Sequence, residues 1–222
     1  MTQARSAAAV ALLTLAIAFP LAADELEEAK IYLEQNVTDA DAEIVIVAQG
    51  GDEGLKTLEV IGPNGRHVLT LWAGHRRTLG FREILLETPE PSIAIVKKAY
   101  PPGVYRFVAK TFSGEELTGE AELEHAMPAA ATILVPANGA EDVAADHLVV
   151  SWEPVAGVAS YLLEIEQDDL GQSINLTLPA DVTSFAVPDG WLQPGVEYEL
   201  GVATVSESGN LSFQEIAFTT AH

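Results

Sequence analysis

Histidine, cysteine and serine build most catalytic centres, and this chain offers few arrangements of them. It contains no cysteine, which excludes disulfides, thiolate metal sites and cysteine nucleophiles. The sequence has no His-Glu-x-x-His pair and no Gly-x-Ser-x-Gly motif. Five histidines are scattered along it: His67, His75, His125, His147 and His222. We therefore predict no catalytic residues, no cofactor-binding residues and a protein that is not an enzyme.

Oxygen-bearing side chains make the best case for a metal ion, although no EF-hand pattern occurs. Asn36, Asp39 and Asp41 could converge on calcium, because a hard cation prefers oxygen ligands. Asp168 and Asp169 are a second candidate. For both we favour a solvated turn, in which such side chains bond their own backbone. The sequence therefore leaves the metal-ligating residues unknown, and calcium is the candidate ion.

Charge is divided unevenly along the chain. There are 33 acidic and 11 basic residues, a net charge of −22 at pH 7, and residues 129–222 contain no Lys or Arg. This acidity disfavours nucleic-acid partners and anionic lipid surfaces. Arg76-Arg77 could bind an anion or an acidic partner. Together with Lys97-Lys98, this pair could also meet the acidic half of another copy in a head-to-tail contact. For the arginine pair a solvated loop is the simpler interpretation.

Aromatic side chains give a third kind of candidate site. Trp72, Tyr100 and Trp191 could stack on sugar rings, which requires exposed, coplanar rings. We expect Trp72 and Trp152 to pack in cores instead, and Trp191 to lie at the end of a domain.

Residues 1–23 have the pattern of a secretory signal peptide. Arg5 precedes an apolar segment, which small residues follow up to Ala23, before the acidic Asp24. The apolar run is short for a bilayer span of about 20 residues, so an uncleaved anchor is the less favoured alternative. We expect secretion or periplasmic export, with no integral membrane segment in the mature chain.

The remaining sequence alternates short apolar segments with turn residues, which is typical of a β-sandwich. Strands are predicted at 30–35, 43–47, 55–61, 67–72, 81–86, 92–97, 105–111 and 120–125 in the first half. The second half has predicted strands at 132–135, 147–152, 160–166, 174–178, 184–187, 198–205 and 213–219. Asn64-Gly65 predicts a hairpin with a type I′ turn. The pattern predicts an all-β fold: two tandem immunoglobulin-like sandwiches at residues 24–128 and 129–222, after the signal peptide.

A Pro-Gly-Val element precedes a tyrosine in each half, at Tyr105 and Tyr198, which suits a tyrosine corner. The second half carries further matching segments: Val149-Val150-Ser151-Trp152, Ala159 to Ile165, Leu192 to Tyr198, and Phe218-Thr219-Thr220. With these segments, residues from about 131 to 220 resemble a fibronectin type III domain.

The first half resembles the domain that precedes such a module in uncharacterised exported bacterial proteins. The matching pieces are Asn36 to Ala42, Glu87 to Pro91 and Thr118 to His125. Ala40 departs from that pattern, since a glycine would suit the turn better. The resemblance implies a fold and an exported location, and no assigned activity.

These observations favour an exported, non-enzymatic binding or surface interaction module whose protein or glycan ligand is unknown. An accessory carbohydrate-binding protein is the alternative. A hydrolase is less favoured, because it needs a concave site where histidine and carboxylate groups converge.

Overall fold

The computed structural model describes residues 24–52, 54–75, 79–167 and 169–222. The predicted signal peptide lies outside the described residues, as do Arg76, Arg77 and Asp168. The first half consists of β1 (Asp24–Glu25), β2 (Glu28–Asn36), β3 (Asp41–Gln49), β4 (Leu55–Ile61), β5 (His67–Trp72), β6 (Glu83–Glu87), α1 (Ile93–Ala99), β7 (Gly103–Thr111) and β8 (Glu116–Leu123). The second half consists of β9 (Ile133–Val135), β10 (Ala140–Val143), β11 (Val149–Trp152), β12 (Ser160–Gln167), β13 (Gln172–Pro179), β14 (Ser184–Ala186), β15 (Glu197–Val205) and β16 (Leu211–Thr220).

The N-terminal half is a two-layer sandwich. One layer is a five-stranded sheet in the order β1-β8-β7-β4-β5, and the other contains β2, β3 and β6. Alternation along the strands places apolar side chains between the layers. In β7, for example, Tyr105, Phe107 and Ala109 are fully buried.

The C-terminal half is a second sandwich with its own core. A three-stranded sheet in the order β14-β11-β9 lies opposite a layer containing β13, β12, β15 and β16. Trp152, Tyr161 and Phe218 are among the largest side chains buried between these layers. The prediction of an all-β fold with tandem sandwiches is confirmed.

The two halves share one sheet. Strand β16 pairs in parallel with β2, with Leu211 opposite Glu34 and Phe213 opposite Asn36. An eight-stranded sheet therefore runs in the order β13-β12-β15-β16-β2-β3-β6, with β10 beside β16. Side chains alternate between the two faces of a strand, so one face of this sheet covers both cores. We call the opposite face, which is continuous across the junction, the outer face.

Polar side chains of the C-terminal half hold the segment that connects the halves. Ser212 Oγ donates to the carbonyl of Pro128 at 2.9 Å, and Thr204 Oγ1 donates to the carbonyl of Ala129 at 2.8 Å. On the outer face, a small apolar cluster spans the junction and contains Ala203, Leu211, Phe213, Tyr32, Leu162 and Val205. The connection is therefore fixed by hydrogen bonds, strand pairing and apolar packing together.

The segment at 92–97 was predicted as a strand, and this prediction is wrong, because it forms helix α1. A short apolar run does not distinguish a strand from a helix. Lys97 and Lys98 occupy the last turn, where the helix dipole favours positive charge. Val96 is the buried residue of the helix, as expected when one helical face packs on a core.

The hairpin between β4 and β5 forms as predicted, but its turn is not of type I′. Gly65 has a φ of +77°, whereas Asn64 is not among the described residues with positive φ. The N–H of Gly65 donates to the carbonyl of Gly62 at 2.9 Å, which places Pro63 at the second position of the turn. Proline holds φ near −65° and so excludes the positive value that type I′ requires there.

Both predicted tyrosine corners are present. Tyr105 Oη donates to the carbonyl of Pro101 at 2.9 Å, and the N–H of Gln193 donates to Tyr198 Oη at 2.8 Å. Each ring is buried in the core of its own half. The two halves thus use the same device to close one end of a sandwich.

Candidate functional site

A crevice of about 250 Å³ opens on the outer face where the two halves meet. Of the ten described residues that line it, seven carry carboxylates and none is basic. They are Glu34, Asn36, Asp39, Asp41, Ala42, Glu43, Glu90, Glu164, Phe213 and Glu215. We call this the junction crevice. The crevice therefore carries uncompensated negative charge, and a ligand that binds there must complement that charge.

Strand register explains why the carboxylates meet there. Glu34 of β2 lies directly opposite Glu43 of β3. On the other side, Glu164 of β12 and Glu215 of β16 both lie opposite Gly201 of β15. Gly201 has no side chain, and the side chains of Phe213 and Glu215 lie 3.5–3.6 Å from the position that its Cβ would occupy.

The environment of the crevice disfavours ionisation. Burial, followed by the charges of Glu43 and Glu87, raises the pKa of Glu34 to about 7. Burial also raises the pKa of Glu43 to about 7, with help from Glu87, Glu90 and Asp41. Like charges placed directly across a strand pair are destabilising. The two strands therefore carry a repulsion that protonation or a cation would relieve.

On the other side of the crevice, the pKa values of Glu164 and Glu215 are also raised. Burial and a hydrogen bond to Glu166 raise the pKa of Glu164 to about 7. Burial also raises the pKa of Glu215, which the side chain of Asn36 partly offsets. Carboxylates from both halves thus titrate closer to neutral pH than exposed glutamates do.

Asn36 joins the two sides of the crevice. Its Nδ2 donates to Glu215 Oε2 at 2.7 Å and to Asp39 Oδ2 at 3.3 Å. Its Oδ1 accepts from the N–H of Thr38 at 2.9 Å, in the turn pattern that we favoured from sequence. The oxygen that a cation would need from Asn36 is therefore occupied by the backbone.

The predicted calcium residues Asn36, Asp39 and Asp41 do lie together, at this crevice. In the described residues, however, no three Asp, Glu, His or Cys side chains are grouped so that they could hold a metal ion. Calcium binding stays a prediction. Of the second candidate pair, Asp169 lines a separate exposed depression beside Glu166 and Glu199, and Asp168 lies outside the described residues.

Residues 136–220 match the Fibronectin type III domain family. The matched segment contains the buried Trp152, the Tyr198 corner and strands β10 to β16 of the C-terminal sandwich. This segment is a fibronectin type III domain. Domains of this family generally act as interaction modules, although a fold does not identify a ligand.

Solved structures with tandem domains align with 90% of this chain at low identity. The chicken CNTN1 FN1-FN3 domains are 13% identical, with 66% of that chain covered, just under two thirds, and a TM-score of 0.35. The fibronectin(III)-like modules of Clostridium thermocellum CbhA are 10% identical, with 90% of that chain covered and a TM-score of 0.36. A two-domain segment of chicken tenascin is 14% identical, with 100% of that chain covered and a TM-score of 0.32. A comparison with curated proteins gives no match.

Trp72 does not pack in a core, contrary to our expectation. It is 67% exposed at the end of β5, the edge strand of the five-stranded sheet. Leu71 lies opposite the buried Leu58 and faces the core, so alternation turns Trp72 to the other face.

The other aromatic candidates are partly buried. Trp191 packs at the end of the fibronectin type III core, with its ring centroid 5.6 Å from that of Tyr198, as expected. Tyr100 packs against the N-terminal core. Trp152 is 2% exposed, which confirms its predicted core position.

The sequence does not mark Glu34, Glu43, Glu164 and Glu215 as a group. Strand alternation marks each of them only as an outward-facing residue, and other polar residues such as Lys30 and Glu166 occupy outward positions of the same strands. Their meeting depends on the pairing of β2 with β16, which links residues about 180 positions apart. In the part of the chain that the structure describes, no helix has the length and apolarity needed to cross a bilayer.

Proposed function

We propose that this protein is an exported, non-enzymatic binding module that presents one fixed two-domain surface to a partner. The observation that carries the proposal is the parallel pairing of β2 with β16, because it makes the outer face continuous across both sandwiches. Recognition through sheet faces, edges and loops is common in sandwich proteins. A fixed surface also lowers the ordering cost of association.

In this proposal the domains are residues 24–128 and 129–222. The boundary falls in the segment whose carbonyls at Pro128 and Ala129 accept hydrogen bonds from the fibronectin type III domain. A truncated chain ending at residue 128 therefore loses both the strand that extends its sheet and the donors that hold its last residues.

Export is the part of the proposal that rests on residues 1–23. The basic start, apolar segment and small residues before Asp24 support cleavage near Ala23. N-terminal sequencing of protein recovered from the exported fraction should begin within a few residues of Asp24. Recovery of protein that retains Met1 would contradict cleavage and favour the anchor.

The binding role can be tested by immobilising the mature protein at one end and measuring whether it captures a specific partner, with and without calcium. A specific partner should be retained by the full chain and lost from either domain alone, because each alone lacks half of the outer face. Retention by one isolated domain at full strength would contradict a shared surface.

Carbohydrate binding is a second candidate, favoured by the exposure of Trp72. Trp72 offers an exposed indole at a sheet edge that can stack on a sugar ring. Tyr100 and Trp191 are engaged by the cores, so these three residues do not form the exposed, coplanar set that we expected such a site to require. Affinity electrophoresis in polysaccharide gels tests this candidate. Retardation that Trp72→Ala abolishes supports a glycan ligand, whereas equal mobility in all gels contradicts it.

Head-to-tail self-association is a further element of the proposal, supported by the charge distribution. Lys97 and Lys98 lie in the last turn of α1, whereas the fibronectin type III domain carries no Lys or Arg. Sedimentation at low salt should show assemblies whose size depends on protein concentration. Either of two double variants should remove these assemblies: Lys97→Glu with Lys98→Glu, or Arg76→Glu with Arg77→Glu. A monomer at low salt would contradict it.

A further inference from the structure

The junction crevice contains a largely buried glutamate whose carboxylate opens on the crevice and has no favourable partner among the described residues. Glu43 is only 8% exposed, and its side chain accepts no hydrogen bond and forms no ion pair among the described residues. A buried charge is costly unless it is paired, and here its nearest charged neighbours are also acidic. The site therefore lacks a positive group.

The arrangement favours an organic cation over a single metal ion. No three carboxylates of the described residues are grouped so that they could hold one, and Asn36 uses its oxygen to accept from the backbone. The negative charges instead line a crevice that extends from Glu43 and Glu34 on one side to Glu164 and Glu215 on the other. An elongated organic cation can place charge along such a crevice where a compact ion cannot.

The crevice also offers an apolar contact and a limited volume. Phe213 forms part of its lining, and it belongs to the apolar cluster of the outer face. A volume of about 250 Å³ lies below the roughly 300–1,000 Å³ of sites for drug-sized ligands. This size suits the end of a chain, with methylene groups against Phe213 and a charged head among the carboxylates.

We propose that the junction crevice binds the ammonium or guanidinium end of an alkyl chain, with Glu43 and Glu34 facing the cation. The chemistry is shared by a free polyamine and by a lysine or arginine side chain of a partner protein. The inference rests on the proposed function only in taking the outer face as a binding surface, and it holds whether or not the chain is exported.

Binding should depend on pH, because the cation must find ionised carboxylates. The groups that face Glu43 are Glu34 from β2, Glu87 from β6, Glu90 from the loop that follows β6, and Asp41 from its own strand. Glu164 and Glu215 face the crevice from β12 and β16, with Tyr32 beside Glu34 on β2. Among the described residues no basic side chain lines the crevice, so deprotonation increases its attraction for a cation throughout the range around neutral pH.

Isothermal titration of the mature chain at low ionic strength tests the proposal. The probes are spermidine, 1,5-diaminopentane, and short peptides with blocked termini that carry one lysine or one arginine, with calcium chloride as the metal comparison. The structure predicts saturable binding of at least one organic cation at pH 8, weakened at least tenfold at pH 6, with protons released on binding below pH 8. Preference for the free amines or for the blocked peptides distinguishes the two sources of the cation.

Glu43→Gln should weaken binding at least tenfold, whereas the matched change Glu141→Gln on exposed β10 should leave it unchanged. Thermal melting of both variants checks that they fold, and Glu34→Gln repeats the test from the opposite strand. Equal affinity of folded Glu43→Gln and wild type would overturn the proposal, as would the absence of binding by all four organic probes. Tighter binding of calcium with the same dependence on Glu43 would replace it with a metal site. Capture of a partner that Glu43→Gln leaves intact would keep the proposed function and remove only this site.

Discussion

The side-chain oxygen of Asn210 accepts a hydrogen bond from the backbone N–H of Leu33 at 2.8 Å, joining residues 177 positions apart. Its amide nitrogen donates to the carbonyls of Glu124 at 3.0 Å and Ala126 at 2.8 Å. Asn210 is completely buried, so these three bonds replace its contacts with water. One side chain thus connects the first sandwich, the connecting segment and the fibronectin type III domain.

Asn210→Ala should destabilise the chain by about 3 kcal/mol, because it leaves one N–H and two carbonyls without their partner at a buried junction. Urea denaturation followed by tryptophan fluorescence measures the loss. Asn175→Ala, on an exposed position of β13, is the matched control and should change the free energy of unfolding by less than about 0.5 kcal/mol. Equal midpoints for the two variants would show that the halves do not need this bond.

Tyr198→Phe removes only a hydroxyl and should cost about 1–2 kcal/mol. The N–H of Gln193 loses its acceptor at the end of the core, while the packing of the ring is kept. The same substitution at Tyr105, which loses a bond to the carbonyl of Pro101, should have a similar cost. Denaturation midpoints check both. A wild-type midpoint for both variants would remove the stabilising role of the tyrosine corners.

Trp152→Ala should cost more, about 3–5 kcal/mol, because it opens a cavity in the core. The indole is 2% exposed and packs edge-on against Tyr161 with centroids 5.5 Å apart. Its Nε1 is buried without a hydrogen-bond partner, so the loss comes from packing and not from a polar bond. Trp72→Ala is the control, since that side chain is exposed and should cost little.

Ala40→Gly should stabilise the chain by about 1 kcal/mol. Ala40 has a φ of +62° in the turn between β2 and β3, a conformation that costs an L-residue about 1–2 kcal/mol and glycine much less. The greater flexibility of glycine in the unfolded chain offsets part of this gain. Ala180→Gly, at an exposed turn position without positive φ, should be neutral or destabilising. Opposite shifts in melting temperature for the two variants are the expected result.

Most strands could be predicted from the sequence, because the alternation of apolar and polar residues and the turn residues that bound each strand are properties of neighbouring positions. Strands β4 and β5 begin and end where the sequence placed them, at Leu55–Ile61 and His67–Trp72. The helix α1 was predicted as a strand because four consecutive apolar residues are compatible with both the helical and the strand periodicity. The strands β1 and β10 were missed because they have few residues and little apolar alternation.

The candidate site depends on contacts that no local pattern contains. Asn36, Asp39 and Asp41 were found because they lie close together in sequence, but their neighbours Glu164 and Glu215 come from the other domain. Asn210 occurs in an Asn-x-Ser sequence, which from sequence alone indicates a glycosylation acceptor on a surface loop. Its complete burial makes it a structural residue instead.

The stability of the folded chain should fall as pH rises from about 4.5 to about 7. Glu34, Glu43 and Glu164 have pKa values of about 7 in the fold, against an ordinary value of 4.5. Between these values the folded chain holds more protons than the unfolded chain, so raising the pH favours unfolding. The stabilisation is complete below about pH 4.5 and is lost above about pH 7. Melting temperatures at constant ionic strength measure the slope.

Glu34→Gln combined with Glu43→Gln should flatten this slope, because two of the four crevice carboxylates with raised pKa values no longer titrate, whereas Glu141→Gln should keep it. Sodium chloride should raise the melting temperature more at pH 8 than at pH 5, since salt screens the repulsion between ionised carboxylates. A melting temperature that rises between pH 5 and pH 7 would mean that the crevice carboxylates are stabilised in their charged form. That result would require a positive group or hydrogen-bond donors at Glu43, and the described residues that line the crevice include no basic side chain.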